Sequence, residues 1–261
     1  MPFSLHLFGD PLHAAAINLL LGLLFFQTKI LTRGGLIACW MAGLPTYLAF
    51  GWPGFLILLV FFTAQDLAVR FTMREATRRK RSITDRKLTP KTFGGIFVPS
   101  ILSGLAAVIL LFSTNPTSQF LCQLAFMASL STFLGDLIST EFGQVYGKRT
   151  FQLITLERVR VGTRGGVSVE GSIAGGVTVL FCTVMSYGLF QAGGFVIPLH
   201  ELGVKEIIIV IFASVLANHI ESVISGVMAQ FQRKPNKMAL SFIGIVIGVL
   251  LALFFTSLPE G

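Results

Sequence analysis

The chain has 261 residues, of which 53% are hydrophobic and only 12% charged, with a mean hydropathy of +0.78. An ordinary soluble domain carries about 25% charged residues, and a globule of this size could not cover its surface with 12 acids and 20 bases. Disorder needs the opposite balance, so the surface faces hydrocarbon and the chain is an integral membrane protein.

The first segment, residues 1–11, carries no Lys or Arg. It makes a poor signal-peptide n-region and is too short for an organellar transit peptide, so an uncleaved first helix is expected. Apolar stretches then follow at about 12–30, 35–50, 54–69, 95–112, 118–140, 172–194, 205–230 and 238–257. The expected fold is an all-α polytopic transmembrane bundle of about eight spans (six to eight), forming one membrane domain over 1–261. The second and third stretches are short for a span of ~17–25 residues. Gly51-Trp52-Pro53-Gly54 divides them as a turn signal with an interfacial Trp; they read as two tight spans or a re-entrant pair.

Basic residues support this layout. Nineteen of the 20 fall between spans 1 and 2, 3 and 4, 5 and 6, or 7 and 8, leaving Lys205 alone on the opposite side. Positive loops face the cytoplasm, which predicts both termini outside. The net charge of +8 is thus a matter of topology and lipid headgroups, and no nucleic-acid partner is expected. The cytoplasmic loops are placed at about 70–94 and 144–171. Cys39, Cys122 and Cys182 each sit inside an apolar run and read as small buried hydrophobes.

Ionisable groups at membrane depth need a partner or a task. Asp66 has Arg70 one helical turn on and reads as a local ion pair. Asn218, Glu221, Ser222 and Ser225 form a polar stripe on span 7, with His219 beside it, that must face the bundle interior or a water-filled cavity. The densest cluster runs from Gly135-Asp136 through Glu141 to Tyr146-Gly147-Lys148-Arg149. It continues through Glu157-Arg158, Gly162-Thr163-Arg164-Gly165-Gly166-Val167-Ser168 and Glu170-Gly171-Ser172. Carboxylates suit Mg²⁺, a hard cation that bridges protein oxygens to substrate phosphates. Arg binds phosphate oxygens bidentately and Lys adds a point charge. Glycines let backbone N–H groups approach an anion, and a helix N-terminus adds its dipole. The same residues also fit an ordinary cytoplasmic turn, and Gly171-x-x-x-Gly175 an ordinary helix-packing motif. Walker A and Rossmann patterns are both missing.

The stretch GDLISTEFGQVYGKRTFQLITLERVRVGTRGGVSVEGSIAGG resembles the signature of a membrane family. That family contains the chloroplast and cyanobacterial phytyl-phosphate kinases of vitamin E synthesis and transmembrane protein 19 of animals. The shared pattern is an acid, S/T-x-E-x-G, YGK, GT-x-GG/A-x-S and EG-x-x-AG. KILTRGGLIACWMAGLPTYLAFGWPGFLILLVFF and ANHIESVISGVMAQFQRKPNKMALSF resemble the family's flanking regions, so the likeness runs from Lys29 onward. The middle loop departs: SITDRKLTPKTFGG stands where the family carries A-E-x-R-G-G-R-R.

The resemblance implies a membrane kinase that transfers a phosphoryl group from a nucleoside triphosphate, CTP by analogy, to phytyl phosphate or a related isoprenoid monophosphate. The product is the diphosphate used for tocopherol or phylloquinone. On this reading Asp136 and Glu141, with Glu221 as a third ligand, hold Mg²⁺. Lys148, Arg158 and Arg164 neutralise phosphates. Gly162, Thr163, Gly165 and Gly166 cradle them, Ser168 and Asn218 add contacts, and Glu170 orients the loop or the metal. Partners are the isoprenoid lipid phosphate, the nucleotide and membrane lipids. The alternative is a transporter or scramblase for an anionic lipid or small anion; a prenyltransferase is weaker, because no DxxxD or DDxxD pair is present.

Overall fold

A computed structural model describes residues 11–27, 29–79, 92–193, 202–231 and 236–258. Lys80, Arg81, Arg86, Lys87, Lys91, Arg233 and Lys234, all counted in the charge analysis, lie outside these residues, as does Asp85 of the middle loop. The elements are helices α1 (Pro11–Gln27), α2 (Arg33–Arg78), α3 (Phe93–Phe112) and α4 (Pro116–Tyr146), strands β1 (Thr150–Gln152), β2 (Arg158–Val159) and β3 (Gly166–Ser168), then α5 (Val169–Gln191), α6 (Val204–Gln230) and α7 (Lys237–Ser257). Helices α2 to α7 are each long and apolar enough to cross a membrane, and α1 is a shorter apolar helix. The architecture is an all-α polytopic bundle.

Short polar residues start the helices where the sequence needs them. Thr32, Thr92, Asn115, Ser168 and Asn236 each accept a hydrogen bond from a backbone N–H in the first turn. Each satisfies one of the donors that a helix start leaves without an internal partner.

Helix α2 carries both short apolar stretches. It reverses at Gly51, whose φ of 64° and ψ of −159° lie in a region open essentially to glycine. Pro53 follows, where the second arm begins and a missing N–H does no harm. The ring of Phe55 lies 5.6 Å from that of Tyr47 and touches the position a Cβ on Gly43 would take. In a straight helix Gly43 and Phe55 would be about 18 Å apart. The arms therefore run antiparallel as a helical hairpin, as the Gly-Trp-Pro-Gly signal predicts.

Helix α4 is the centre of the bundle. Its most apolar stretch is 78% buried, against 28% to 50% in the other five long helices. Phe50, Phe126 and Phe190 interlock with centroids 4.6 to 6.0 Å apart, tying α2, α4 and α5 together at the end away from the basic loops. Hydroxyl pairs add interhelical bonds: Ser131 with Thr183 at 3.1 Å, and Thr132 Oγ1 to Ser214 Oγ at 3.0 Å. Large apolar side chains such as Ile173, Val177, Phe181 and Phe254 face outward, where hydrocarbon replaces water.

Glycines set how closely α4 and α5 approach. A Cβ on Gly175 would lie 2.8 Å from the Gly135 carbonyl oxygen and 2.8 Å from Ser139 Cβ, and one on Gly171 would lie 2.6 Å from the Ser139 carbonyl oxygen. The Gly171-x-x-x-Gly175 motif thus packs against a Gly135-Ser139-Gly143 groove, its helix-packing reading. Gly176, by contrast, faces open space. Gly175→Ala should destabilise the bundle by about 1–3 kcal/mol through overpacking, while Gly176→Ala should leave it unchanged. Thermal unfolding in detergent measures both, and equal transitions for the two variants would contradict this packing.

Candidate functional site

The segment between α4 and α5, expected as an irregular loop, folds into a small antiparallel sheet of order β2-β1-β3. Thr150 sits at its centre, opposite Val159 on one side and Ser168 on the other. Strands of two and three residues carry too little alternation to be seen in a sequence. Helix α4 also runs further than its apolar stretch, to Tyr146, where the Arg79 guanidinium lies 4.4 Å over the ring.

The sheet lays the segment 161–168 across the ends of α4, α5, α6 and α7, above a cavity of about 420 Å³. Its rim includes Lys237, the first residue of α7, and Ser172 in the first turn of α5. Asp136 and Glu221 line it deeper, each about 15 Å of helix rise from the cationic end of its helix. Arg164 and Lys237 bring positive charge to the same walls, and hydroxyls of Ser139, Thr140, Thr163, Ser168, Ser222 and Ser225 complete them. Asp136, Glu221 and Lys237 are near enough to act on one another electrostatically.

Gly165 joins this lid to α6. Its φ is +71°, and a Cβ there would lie 2.5 Å from the Gly226 backbone nitrogen and Cα and 2.8 Å from the Ser222 carbonyl oxygen. Two glycines meeting backbone to backbone therefore seat the lid beside Ser225, the last residue of the Glu221 stripe. Turns closed by Thr163 N–H to Arg160 C=O and by Gly166 N–H to Thr163 C=O, both 3.0 Å, keep the segment compact. Gly162, with φ of +86°, has open space where a Cβ would be. It leaves the backbone bare toward the cavity it lines.

Asn218 lines the cavity and also bonds the backbone of α4. With its amide oriented to satisfy both ends, Nδ2 donates to the Thr132 carbonyl and Oδ1 accepts from the Asp136 N–H, each at 3.1 Å. These are the two groups that bond each other in a regular helix, so Asn218 grips α4 at the residue that delivers Asp136. Glu221 is 6% exposed and its carboxylate lies against Gly244 of α7, where no side chain intervenes. His219 Nδ1 lies 2.8 Å from the Val215 carbonyl, which can only accept. Nδ1 thus carries the proton, and the ring lines the cavity.

Nine of the thirteen expected site residues line this cavity: Asp136, Gly162, Thr163, Arg164, Gly165, Gly166, Ser168, Asn218 and Glu221. Glu141, Lys148, Arg158 and Glu170 do not. Five residues separate Glu141 from Asp136, about 140° around a helix. It is 1% exposed and accepts from Thr72 Oγ1 of α2 at 3.0 Å. Lys148 and Arg158 are exposed at the outer side of the sheet, where Arg158 Nη2 donates to the Lys148 carbonyl at 3.4 Å. Glu170 lies beside the Lys148 backbone and the charges of Lys148 and Arg149. Lys237 is the site residue that the sequence reading counted only as a topology charge; its place just after the Asn236 cap is the one local sign of its position. Asp66 bonds Arg70 at 2.6 Å as expected. Among the described residues, no three His, Cys, Asp or Glu converge as a self-sufficient metal centre.

The seating of the lid makes a direct prediction. Gly165→Ala meets both a strained φ and the α6 backbone, whereas Gly162→Ala meets strain alone, about 1–2 kcal/mol. Limited proteolysis between residues 147 and 168 should be accelerated much more by Gly165→Ala. Equal cleavage of the two variants would mean that the lid is not held at Gly226.

The sequence pattern of the family described as Integral membrane protein DUF92 matches residues 16–242. An uncharacterized membrane protein of Synechocystis sp. is 31% identical over 77% of this chain and 72% of its own. Protein VTE6, chloroplastic, of Arabidopsis thaliana is 28% identical over 92% of this chain and 70% of its own. An uncharacterized membrane protein of Methanocaldococcus jannaschii is 22% identical over 65% and 67%. No solved structure matches the chain. The chain belongs to the DUF92 family of integral membrane proteins.

Proposed function

We propose that this protein is a membrane kinase that transfers the terminal phosphoryl group of a nucleoside triphosphate to an isoprenoid monophosphate, phytyl phosphate being the first candidate and CTP the first donor to try. The observation that carries this reading is the single cavity in which two carboxylates, two cations and a glycine-rich backbone face one another. The signature resemblance to phytyl-phosphate kinases supports it, and so do relatives from a cyanobacterium and a chloroplast.

The step needs alignment and charge neutralisation more than covalent chemistry. The bond between the terminal phosphorus and its bridging oxygen breaks, and an oxygen of the acceptor phosphate bonds to that phosphorus. The nucleoside diphosphate leaves with the bridging oxygen. Both reactants are anions, so cations must offset their repulsion. Arg164 can hold phosphate oxygens in a fork and Lys237 supplies a compact charge from the start of α7. The bare backbone at Gly162 offers N–H groups without steric hindrance. An acceptor that is already an ionised phosphate needs no strong general base.

Mg²⁺ suits this donor set. Asp136 and Glu221 present carboxylate oxygens, and the hydroxyls of Ser139, Thr140 and Ser222 present further hard donors on the same walls. Mg²⁺ is usually held by one or two carboxylates plus substrate phosphates rather than by an all-protein cage. When bound it would neutralise charge on the polyphosphate. Asn218 then acts as a positioning residue for Asp136. Glu141, bonded to Thr72, supports α4 rather than the ligand set.

Positive-inside orientation puts the lid and the cavity mouth in the cytoplasm, where nucleotide is available, and the termini on the other side. An isoprenoid tail can stay among the helices while its phosphate meets the lid. A transporter would place its site near the bilayer midplane between repeats; here the cavity opens at the cationic end of the bundle, which favours the enzyme.

Purified wild-type protein should move radiolabel from the terminal phosphate of CTP or another nucleoside triphosphate to phytyl phosphate without any ion gradient. Asp136→Asn and Arg164→Ala should each lower turnover by about 10²–10³-fold in protein that still elutes as a folded species. Wild-type turnover in Asp136→Asn would remove that carboxylate from the site. Anion flux into vesicles without product formation would favour the transporter.

A further inference from the structure

The β1–β2 hairpin takes no part in the proposed phosphoryl transfer, and the loop at its tip is apolar. Leu153, Ile154, Thr155 and Leu156 join Gln152 to Glu157. Gln152 N–H donates to the Glu157 carbonyl at 3.0 Å and Leu156 N–H to the Gln152 carbonyl at 2.7 Å, so the turn closes on its own backbone. Tight turns are built mostly from Gly, Pro, Asn, Asp and Ser, and this one has none of them. Leu156 takes a φ of +55°, left-handed backbone in which a bulky side chain is strained, and it is 74% exposed. Ile154 is exposed as well. A strained apolar tip gains nothing from water.

The tip lies at the outer side of the bundle. A Cβ on Gly226 would lie 3.1 Å from Ile154 Cδ1 and 3.3 Å from Gln152 Nε2, so the hairpin rests on α6 there. Gly226 stands about five turns along α6 from Ile208, on the same face, and Ile208 is an exposed apolar residue of a membrane-spanning helix. Val227 and Phe231, one turn apart at the end of α6, are exposed too. Helix α6 has 27 residues, about 40 Å of rise, against a hydrocarbon core of ~30 Å. Gly226 comes about 6 Å before its last residue, Gln230, the depth at which acyl chains give way to headgroups. Lys148, Arg149, Arg158 and Arg160 flank the tip and are exposed. Glu157 is the sole acid between Lys148 and Arg164. Among the described residues neither Arg158 nor Arg160 makes an ion pair.

We propose that the β1–β2 hairpin is a membrane-interface anchor: Ile154 and Leu156 sink into the boundary between headgroups and acyl chains beside α6, and Arg158 and Arg160 hold the phosphates of anionic lipids. An apolar element set in that boundary with cations beside it binds through buried apolar area and through attraction to anionic lipid. The occupant is the lipid surface in which the helices already sit. The tip's place on an outward face of α6, its depth and the positive charge around it all match that surface. Because β1 also pairs with β3, the anchor fixes the outer edge of the segment that covers the first cavity. It uses no residue given to nucleotide or metal, so it stands or falls apart from the kinase reading.

Two measurements on the full chain in lipid nanodiscs, without nucleotide, test the anchor. The first is amide hydrogen exchange of residues 152–158 in the unaltered protein. Adding phosphatidylglycerol to phosphatidylcholine nanodiscs should slow that exchange several-fold, and the double variant Arg158→Ala/Arg160→Ala, on two exposed side chains, should remove the dependence. The second places a fluorophore at the tip by Leu156→Trp, in a chain whose two tryptophans, Trp40 and Trp52, are replaced by Phe. Its emission should be quenched by phosphatidylcholine brominated near the glycerol end of the acyl chains and little by aqueous iodide. Exchange indifferent to phosphatidylglycerol, a dependence that survives in the double variant, or quenching by iodide without quenching by bromolipid would each overturn the proposal. The last result does so whether the tip then lies in water or against a second copy of the chain. None of these outcomes touches the kinase reading, which is measured by product formation.

Discussion

The structure depends on backbones that meet without side chains between them. Gly135 and Gly143 on α4 receive Gly171 and Gly175 on α5, Gly165 of the lid lies on Gly226 of α6, and Gly244 of α7 leaves room for the Glu221 carboxylate. Helices in a membrane gain little from burying apolar surface against each other, so close van der Waals approach and a few interhelical hydrogen bonds must hold them. Here that approach also does chemical work. It places polar residues of four helices around one cavity, with the segment that carries Arg164 on the same walls.

The polar groups follow from the same packing. A carboxylate at membrane depth needs a partner or water, and each of the three acids in this part of the bundle meets this need differently. Asp136 is carried to the cavity by a helix that Asn218 grips at its backbone. Glu221 rests in the notch at Gly244. Glu141 turns away and takes a hydroxyl bond from α2, which ties the hairpin to the central helix. One helix thus carries a carboxylate suited to ligand binding and another suited to architecture, five residues apart.

Much of this was legible in the residues. The apolar stretches and the reversal at Gly-Trp-Pro-Gly follow from bulk hydrophobicity and from a φ angle that favours glycine. The polar stripe of α6 was legible because its spacing is that of a helix face. What the sequence hid is the angle between residues on one helix that share a motif. Asp136 and Glu141 are neighbours in a signature, yet five residues make about 140° of turn, so only Asp136 lines the cavity while Glu141, still within electrostatic reach of it, bonds Thr72. Lys148 and Arg158 looked like phosphate cations by proximity to the glycines, but the short sheet, invisible to periodicity, turns them outward. Lys237 was hidden for the converse reason: it is far from the motif in sequence and reaches the cavity only through the packing of α7 on α6.

On the kinase reading the cavity under the lid grips a polyphosphate between carboxylates and cations contributed by three helices, α4, α6 and α7, and the turn segment that carries Arg164. A cryo-electron microscopy map of the protein with Mg²⁺ and a non-hydrolysable nucleoside triphosphate analogue tests it most directly. The account requires triphosphate density bounded by Asp136, Glu221, Arg164 and Lys237, beneath Gly162. Density seated elsewhere, or a cavity filled by lipid at saturating nucleotide, would contradict it.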